Sequence, residues 1–161
     1  MVIKGSSGWM PACAAALVMC ISAHAAELKS PDQVRNALRI LAYVQDDMNR
    51  KLPTKSFSRL PHENEEFQEA APALRDAVVG EPAAFKTQVE GALKSALVAA
   101  NAVAEVSKSN DEVKITASVA AVADALTHLN ALFPEALRPV AGQLGSGPPR
   151  SGAGGPPPGL R

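Results

Sequence analysis

The clearest structural pattern in this chain lies in residues 109–133, SNDEVKITASVAAVADALTHLNALF. The large apolar residues of this stretch recur at alternating spacings of four and three: Ile115, Val119, Val122, Leu126, Leu129 and Phe133. This spacing places them on one face of an α-helix, so it predicts a helix that buries that face. Ser109 and Glu112 have the spacing of a capping box at the start of the helix, and Pro134 or Pro139 is expected to end it.

Three earlier segments show the same helical period. The first covers residues 31–52, with Ser30 as the expected cap and Pro31 at the first helical position, where the missing N–H of proline costs nothing. The second segment covers 62–79 and ends at Gly80, and the third covers 82–107. Residues 53–61 connect the first and second segments, and we expect Phe57 and Leu60 to anchor this connector in the core. The predicted core positions of the three segments are Val34, Leu38, Leu41, Met48, Leu52; Phe67, Ala71, Leu74, Val78; and Phe85, Val89, Ala92, Ala96, Ala100, Val103.

Together the four segments predict an all-α fold, an antiparallel up-down-up-down four-helix bundle over residues 26–140. Alternating spacings of four and three, short links and an alanine-rich interior are typical of helices that pack closely side by side. Pro72 lies inside the second segment, where a proline removes a backbone donor and clashes with the preceding turn. If Pro72 breaks that helix, the alternative is a three-helix bundle with a broken second helix.

Residues 1–25 have the pattern of a cleavable export signal. Lys4 precedes an apolar run, residues 11–22, that is too short to span a bilayer, and Ala23-His24-Ala25 offers the small residues that a signal peptidase recognises. We therefore expect cleavage after Ala25 and a periplasmic or secreted mature protein with no membrane anchor. Cys13 and Cys20 both lie in the apolar run, so the mature protein would contain no thiol. The alternative is a lipoprotein signal with its lipid on Cys20, because aliphatic residues precede that cysteine.

Charge and composition limit the classes of partner. The chain has 16 basic and 16 acidic residues, so no excess of positive charge points to nucleic acid. Residues 141–161 are rich in glycine and proline and cannot bury enough apolar surface to offset their ordering entropy. This tail is predicted to be disordered.

The predicted elements follow one another as an export signal, a first helix, a proline-containing connector and two long final helices. The stretch from Ala96-Leu97 to Leu132-Phe133-Pro134-Glu135 covers the last two helices. In this order of elements and in the layout of that stretch, the chain resembles the periplasmic cytochrome b562 and cytochrome c′ proteins. The resemblance implies a four-helix bundle that holds a haem between its helices.

The expected haem ligands do not match this family pattern. The c′ type attaches haem through Cys-x-x-Cys-His, and no cysteine follows the signal. The b562 type uses a methionine near the start of its first helix and a histidine near the end of its last. Here Met48 lies near the far end of the first segment and is expected to fill the core. His128 is the only histidine of the last segment and is expected to lie on the solvent side, near Asp124.

His62 and Glu66 are the candidate metal ligands. They lie one turn apart on the predicted second helix and can share a divalent cation such as copper or zinc. The competing interpretation is that acids in the first turn of a helix complement its dipole and stay solvated, which would also apply to Glu63 and Glu65. Asp46-Asp47 is likewise interpreted as surface charge.

No catalytic motif stands out in the sequence. A nucleophile elbow, a cysteine nucleophile after the signal and a glycine-rich phosphate loop are all lacking, so we expect no enzyme. The leading prediction is an exported, non-enzymatic helical bundle that binds a periplasmic protein or a small ligand, without a cofactor and with its oligomeric state left open. The alternative is a cytochrome b562-like electron-transfer protein that binds haem or a divalent metal.

Overall fold

The computed structural model describes residues 28–140. The predicted signal segment, with Cys13 and Cys20, and the predicted tail 141–161 lie outside the described residues. Within residues 28–140 the chain forms four α-helices, two single 3₁₀ turns and no strand, which confirms the all-α class. The helices are α1, Pro31–Lys51; α2, Leu60–Ala77; α3, Ala83–Ser107; and α4, Glu112–Ala131. The 3₁₀ turns are Phe57–Arg59 and Glu135–Leu137.

Pro72 does not break the second helix. α2 runs without interruption from Leu60 to Ala77, so the break on which the three-helix alternative depends does not occur, and that alternative is wrong. Pro72 is exposed, and the carbonyl that it leaves without a helical partner belongs to Gln68, also an exposed residue. Water can therefore satisfy that carbonyl, while the apolar face of α2 keeps its packing on both sides of the proline.

The capping box predicted for the last helix is also wrong. The cap of α4 is Asp111, whose carboxylate accepts a hydrogen bond from the backbone N–H of Lys114 at 3.1 Å. The hydroxyl of Ser109 instead donates to the carbonyl of Val106 at 2.7 Å, so it closes the end of α3. Asn110 has a φ of 54°, the left-handed conformation that turns the chain between the two helices.

The core contains most of the predicted positions. All six stripe residues of residues 109–133 are buried, as are Met48 and the connector residues Phe57 and Leu60. On α3, Leu93 is fully buried although the sequence did not predict it, while the predicted Ala92 is partly buried and packs against the core. Phe85 is only partly buried, yet its ring meets that of Phe133 edge to face, with 5.6 Å between the centroids. Burying such side chains contributes about 1.5–3 kcal/mol each and is the main source of stability.

Each helix packs against the next one in the chain, and α1 also contacts α4. Two side-chain contacts show how α2 and α3 are aligned along their lengths. Asn64 near the start of α2 contacts Asn101 near the end of α3, and Arg75 near the end of α2 contacts Glu90 near the start of α3. In the described part of the chain, no helix is both long and apolar enough to cross a membrane.

Candidate functional site

The structure brings the two predicted metal ligands together. His62 Nε2 lies 3.3 Å from Glu66 Oε1, and His62 Nδ1 lies 3.6 Å from Glu65 Oε2. All three side chains are at least 44 % exposed, on the outer side of the first turns of α2. Within residues 28–140, no group of three or more metal-binding side chains converges. The pair therefore offers two ligands to a divalent cation at the surface, and metal binding there stays a prediction.

The residues considered as haem ligands differ in their surroundings. Met48 is fully buried in the core, as expected. His128 is exposed on α4, also as expected, and no ion pair joins it to Asp124 among the described residues. The haem alternative remains a prediction that rests on the family resemblance.

An ionic cluster of one buried and two partly buried side chains links α1 to α2. Glu63 is 4 % exposed, and its Oε1 lies 3.3 Å from the Nζ of Lys51. Lys51 also contacts Asp47 Oδ2 at 3.0 Å, so one ammonium group serves two carboxylates. The other oxygen of Glu63, Oε2, is buried and has no hydrogen-bond partner. The prediction that Glu63 and Asp47 are solvated surface acids is wrong for Glu63, because α1 covers its carboxylate.

The two carboxylates respond to this environment in opposite ways. Burial and then the charge of Asp47 raise the pKa of Glu63 above its ordinary range, against the opposing effect of Lys51. Partial burial alone would raise the pKa of Asp47, but the hydrogen bond and the charge of Lys51 lower it overall. The hydrogen bond to Asp47 raises the pKa of Lys51, which therefore stays charged.

A second polar contact lies on the other flank of α2, at the same level. The amide of Asn64 donates to Asn101 Oδ1 at 3.1 Å, and Gln68 donates to the same oxygen at 2.9 Å. Asn64 is 7 % exposed, and its own Oδ1 is buried without a partner. Consecutive residues of α2 thus reach the two flanking helices, Glu63 reaching α1 and Asn64 reaching α3.

The outer side of α3 carries a second regular stripe. We call it the outer stripe; its members are Ala84, Gln88, Gly91, Ser95, Val98 and Ala102. Their spacing alternates between four and three, as in the core stripe of α4, and all six are exposed and uncharged. Val98 is 61 % exposed, and a side-chain carbon added at Gly91 would meet nothing within 4 Å. The described part of the chain therefore leaves this side of α3 free.

The sequence contained signals for both missed features. The buried positions of α2 include Glu63 and Asn64 at the spacings that its apolar residues follow, but charged residues near the start of a helix favoured a solvated interpretation. The outer stripe shows the spacing of a packed face, but its residues are too small or too polar to indicate a buried apolar face from the sequence. Comparison with known proteins adds no further information on either feature, since no family model, no curated protein and no solved structure matches this chain.

Proposed function

We propose that this chain is an exported, non-enzymatic helical bundle that works by binding a helix of a partner protein on the outer stripe of α3. The observation that carries the proposal is the stripe itself, an exposed and uncharged face with the alternating spacing of residues that pack between helices. It runs over residues 84–102, which is about 27 Å of helix at 1.5 Å per residue. That length matches a partner helix of about five turns.

The residue types on the stripe support a helical partner. Small side chains let two helix backbones approach closely, and Val98 supplies one larger apolar contact at 61 % exposure. Gly91 costs the helix about 1 kcal/mol relative to alanine, and nothing in the described chain requires a glycine there. Close approach of another backbone is a physical reason for a glycine at such a position.

We also infer that the four helices alternate in direction, which is the antiparallel arrangement predicted from the sequence. The contact between Asn64 and Asn101 and the contact between Arg75 and Glu90 support it for α2 and α3, because each joins the start of one helix to the end of the other. Phe85 and Phe133 give the same support for α3 and α4. In this arrangement α3 lies between α2 and α4, and its outer stripe faces away from the core.

A matched pair of variants tests the binding proposal. Ala102→Trp places a large side chain on the outer stripe, and Ala73→Trp places the same side chain on the exposed side of α2. The tagged proteins are used to capture partners from a periplasmic extract, and the recovered material is examined by native mass spectrometry. We expect a partner with the unaltered protein and with Ala73→Trp, and its loss with Ala102→Trp. Equal retention by both variants, or no partner for any of them, would refute the proposal.

The same native mass spectrum tests the cofactor alternative. A bound haem, seen also as a Soret band after gel filtration, would favour the cytochrome b562-like function. The closeness of His62 and Glu66, 3.3 Å between Nε2 and Oε1, is the observation that favours a divalent metal as second candidate. In that case calorimetric titration with copper or zinc gives one-to-one binding that His62→Ala abolishes. His128→Ala, which removes an exposed histidine elsewhere, leaves such binding intact.

We further propose export with cleavage after Ala25, on the pattern of residues 1–25. The mass of the mature protein is the test. A chain that begins at Ala26 is the expected result. A mass that includes a lipid on Cys20 would replace this proposal by the lipoprotein alternative.

A further inference from the structure

The buried positions of α2 repeat every seven residues. The buried residues of α2 and its cap fall into three such sets: Leu60, Glu63, Asn64; Phe67, Ala70, Ala71; and Leu74, Ala77, Val78. Because seven residues are close to two helical turns, Leu60, Phe67 and Leu74 share one side of α2, and the other two members of each set lie beside them. Only the first set has polar residues on its flanks. The apolar pattern alone is therefore nearly unchanged when α2 moves by one repeat.

A shift by one repeat is a translation of about 10.5 Å along the helix axis. In one direction Leu60 would take the place of Phe67, and Phe67 that of Leu74; all three residues are apolar and fully buried. The flanking positions of the second and third sets hold three alanines and Val78, which are small side chains that fit against many neighbours. Among the central positions, apolar packing therefore distinguishes the two alignments of α2 only by the difference in size between leucine and phenylalanine.

Each of the two polar residues of the first set contacts a polar partner on a neighbouring helix in the present position of α2. Glu63 reaches Lys51 of α1 at 3.3 Å, and Asn64 reaches Asn101 of α3 at 3.1 Å. If α2 shifted so that Glu63 and Asn64 took the buried places of Ala70 and Ala71, neither group would reach its partner, and a buried polar group without a partner is destabilising, more so when it is charged. Contacts on two sides of one helix also oppose its rotation.

Neither polar residue is well explained by stability. Glu63 Oε2 and Asn64 Oδ1 are buried without hydrogen-bond partners, so both side chains carry an uncompensated desolvation cost. Replacing a buried ion pair by apolar residues of similar volume is often neutral or stabilising in proteins. A buried polar residue that costs stability but fixes the alignment of helices is known from coiled coils.

We propose that Glu63 and Asn64 fix the register of α2, so that the helix occupies one position between α1 and α3 and not a neighbouring one. This inference concerns the bundle itself and does not depend on a partner for the outer stripe. It assigns Glu63 and Asn64 a role in the uniqueness of the fold, at a net cost to its stability.

The test replaces both polar side chains by apolar ones of similar volume, in the double variant Glu63→Met with Asn64→Leu. Their former partners are not left alone, because Lys51 keeps Asp47 at 3.0 Å and Asn101 keeps Gln68 at 2.9 Å. We expect helical circular dichroism and a Tm equal to or above that of the unaltered chain. In the ¹H–¹⁵N spectrum we expect more than one set of amide signals for α2.

Two further variants separate register from ordinary stability. Glu63→Gln keeps an oxygen that accepts a hydrogen bond from Lys51, so it should give one set of signals. Arg75→Ala with Glu90→Ala removes an exposed contact of α2 and should also give one set. One set of signals from the apolar double variant would overturn the proposal. So would its unfolding or a lowered Tm, because the polar pair would then supply stability.

Discussion

Replacing Gly91 by alanine should make the free protein more stable. Gly91 lies inside the 25-residue helix α3, where alanine is about 0.8–1 kcal/mol more favourable than glycine. No atom lies within 4 Å of the added side-chain carbon, so no clash offsets this gain. With a urea m-value of about 1–3 kcal/mol/M, the midpoint of unfolding should rise by about 0.3–1 M at unchanged m. The Tm should rise by about 3–6 °C.

Gly80→Ala is the control for this experiment. Gly80 lies beyond the end of α2, and a carbon added there would come within 2.9 Å of Lys29 Cδ, so Lys29 must move and no comparable gain is expected. A midpoint for Gly91→Ala that is unchanged or lower would refute the reasoning. It would mean that something covers this side of α3 in the free protein, and the outer stripe would then not be open to a partner.

Three further outcomes follow from the packing and the charges. Leu93→Ala should lower the free energy of unfolding by about 2–5 kcal/mol, measured by urea denaturation, and a loss below about 1 kcal/mol would contradict its place in the core. A double-mutant cycle on Arg75 and Glu90 should give a coupling of about 0.2–1 kcal/mol that falls with added salt, because both side chains are exposed; a larger, salt-independent coupling would count against a surface pair. Asp111→Ala should lower the Tm at pH 7 more than Ser109→Ala does, since Asp111 caps α4. The hydrogen bond from the backbone of Lys114 lowers the pKa of Asp111. The stability that the Asp111 cap contributes is therefore present above the ordinary pKa of aspartate and is lost as the pH falls through the lowered pKa. A Tm difference between the two variants that persists in strong acid would contradict the capping role.

The apolar period predicted most of the fold. The six core residues of residues 109–133 are buried as predicted, and Met48 and Phe57 are in the core. A helical period is a local property, because side chains three and four residues apart share a face whatever else surrounds them. The argument that a proline breaks a helix is also local, and it failed at Pro72. There the effect of the proline depends on whether its side of the helix faces water.

The candidate features were predicted less well than the fold. The sequence correctly predicted that the side chains of His62 and Glu66 lie close together, because residues four apart on a helix are neighbours. It missed the burial of Glu63 and Asn64, since residues on the flank of a helical stripe are buried or exposed according to the helices beside them. It also missed the full burial of Leu93, which lies beside the partly buried Ala92 on α3, for the same reason.

By itself, therefore, the sequence determined where the helices lie and which side of each turns inward, since both follow from spacing along one chain. Only the tertiary structure decided which neighbour covers each flank. Lys51 contacts Glu63 from 12 positions away in the sequence, and Asn101 contacts Asn64 from 37 positions away. No local pattern in the sequence predicts either contact. Likewise, only the placement of α2 and α4 left the outer stripe of α3 uncovered within the described chain.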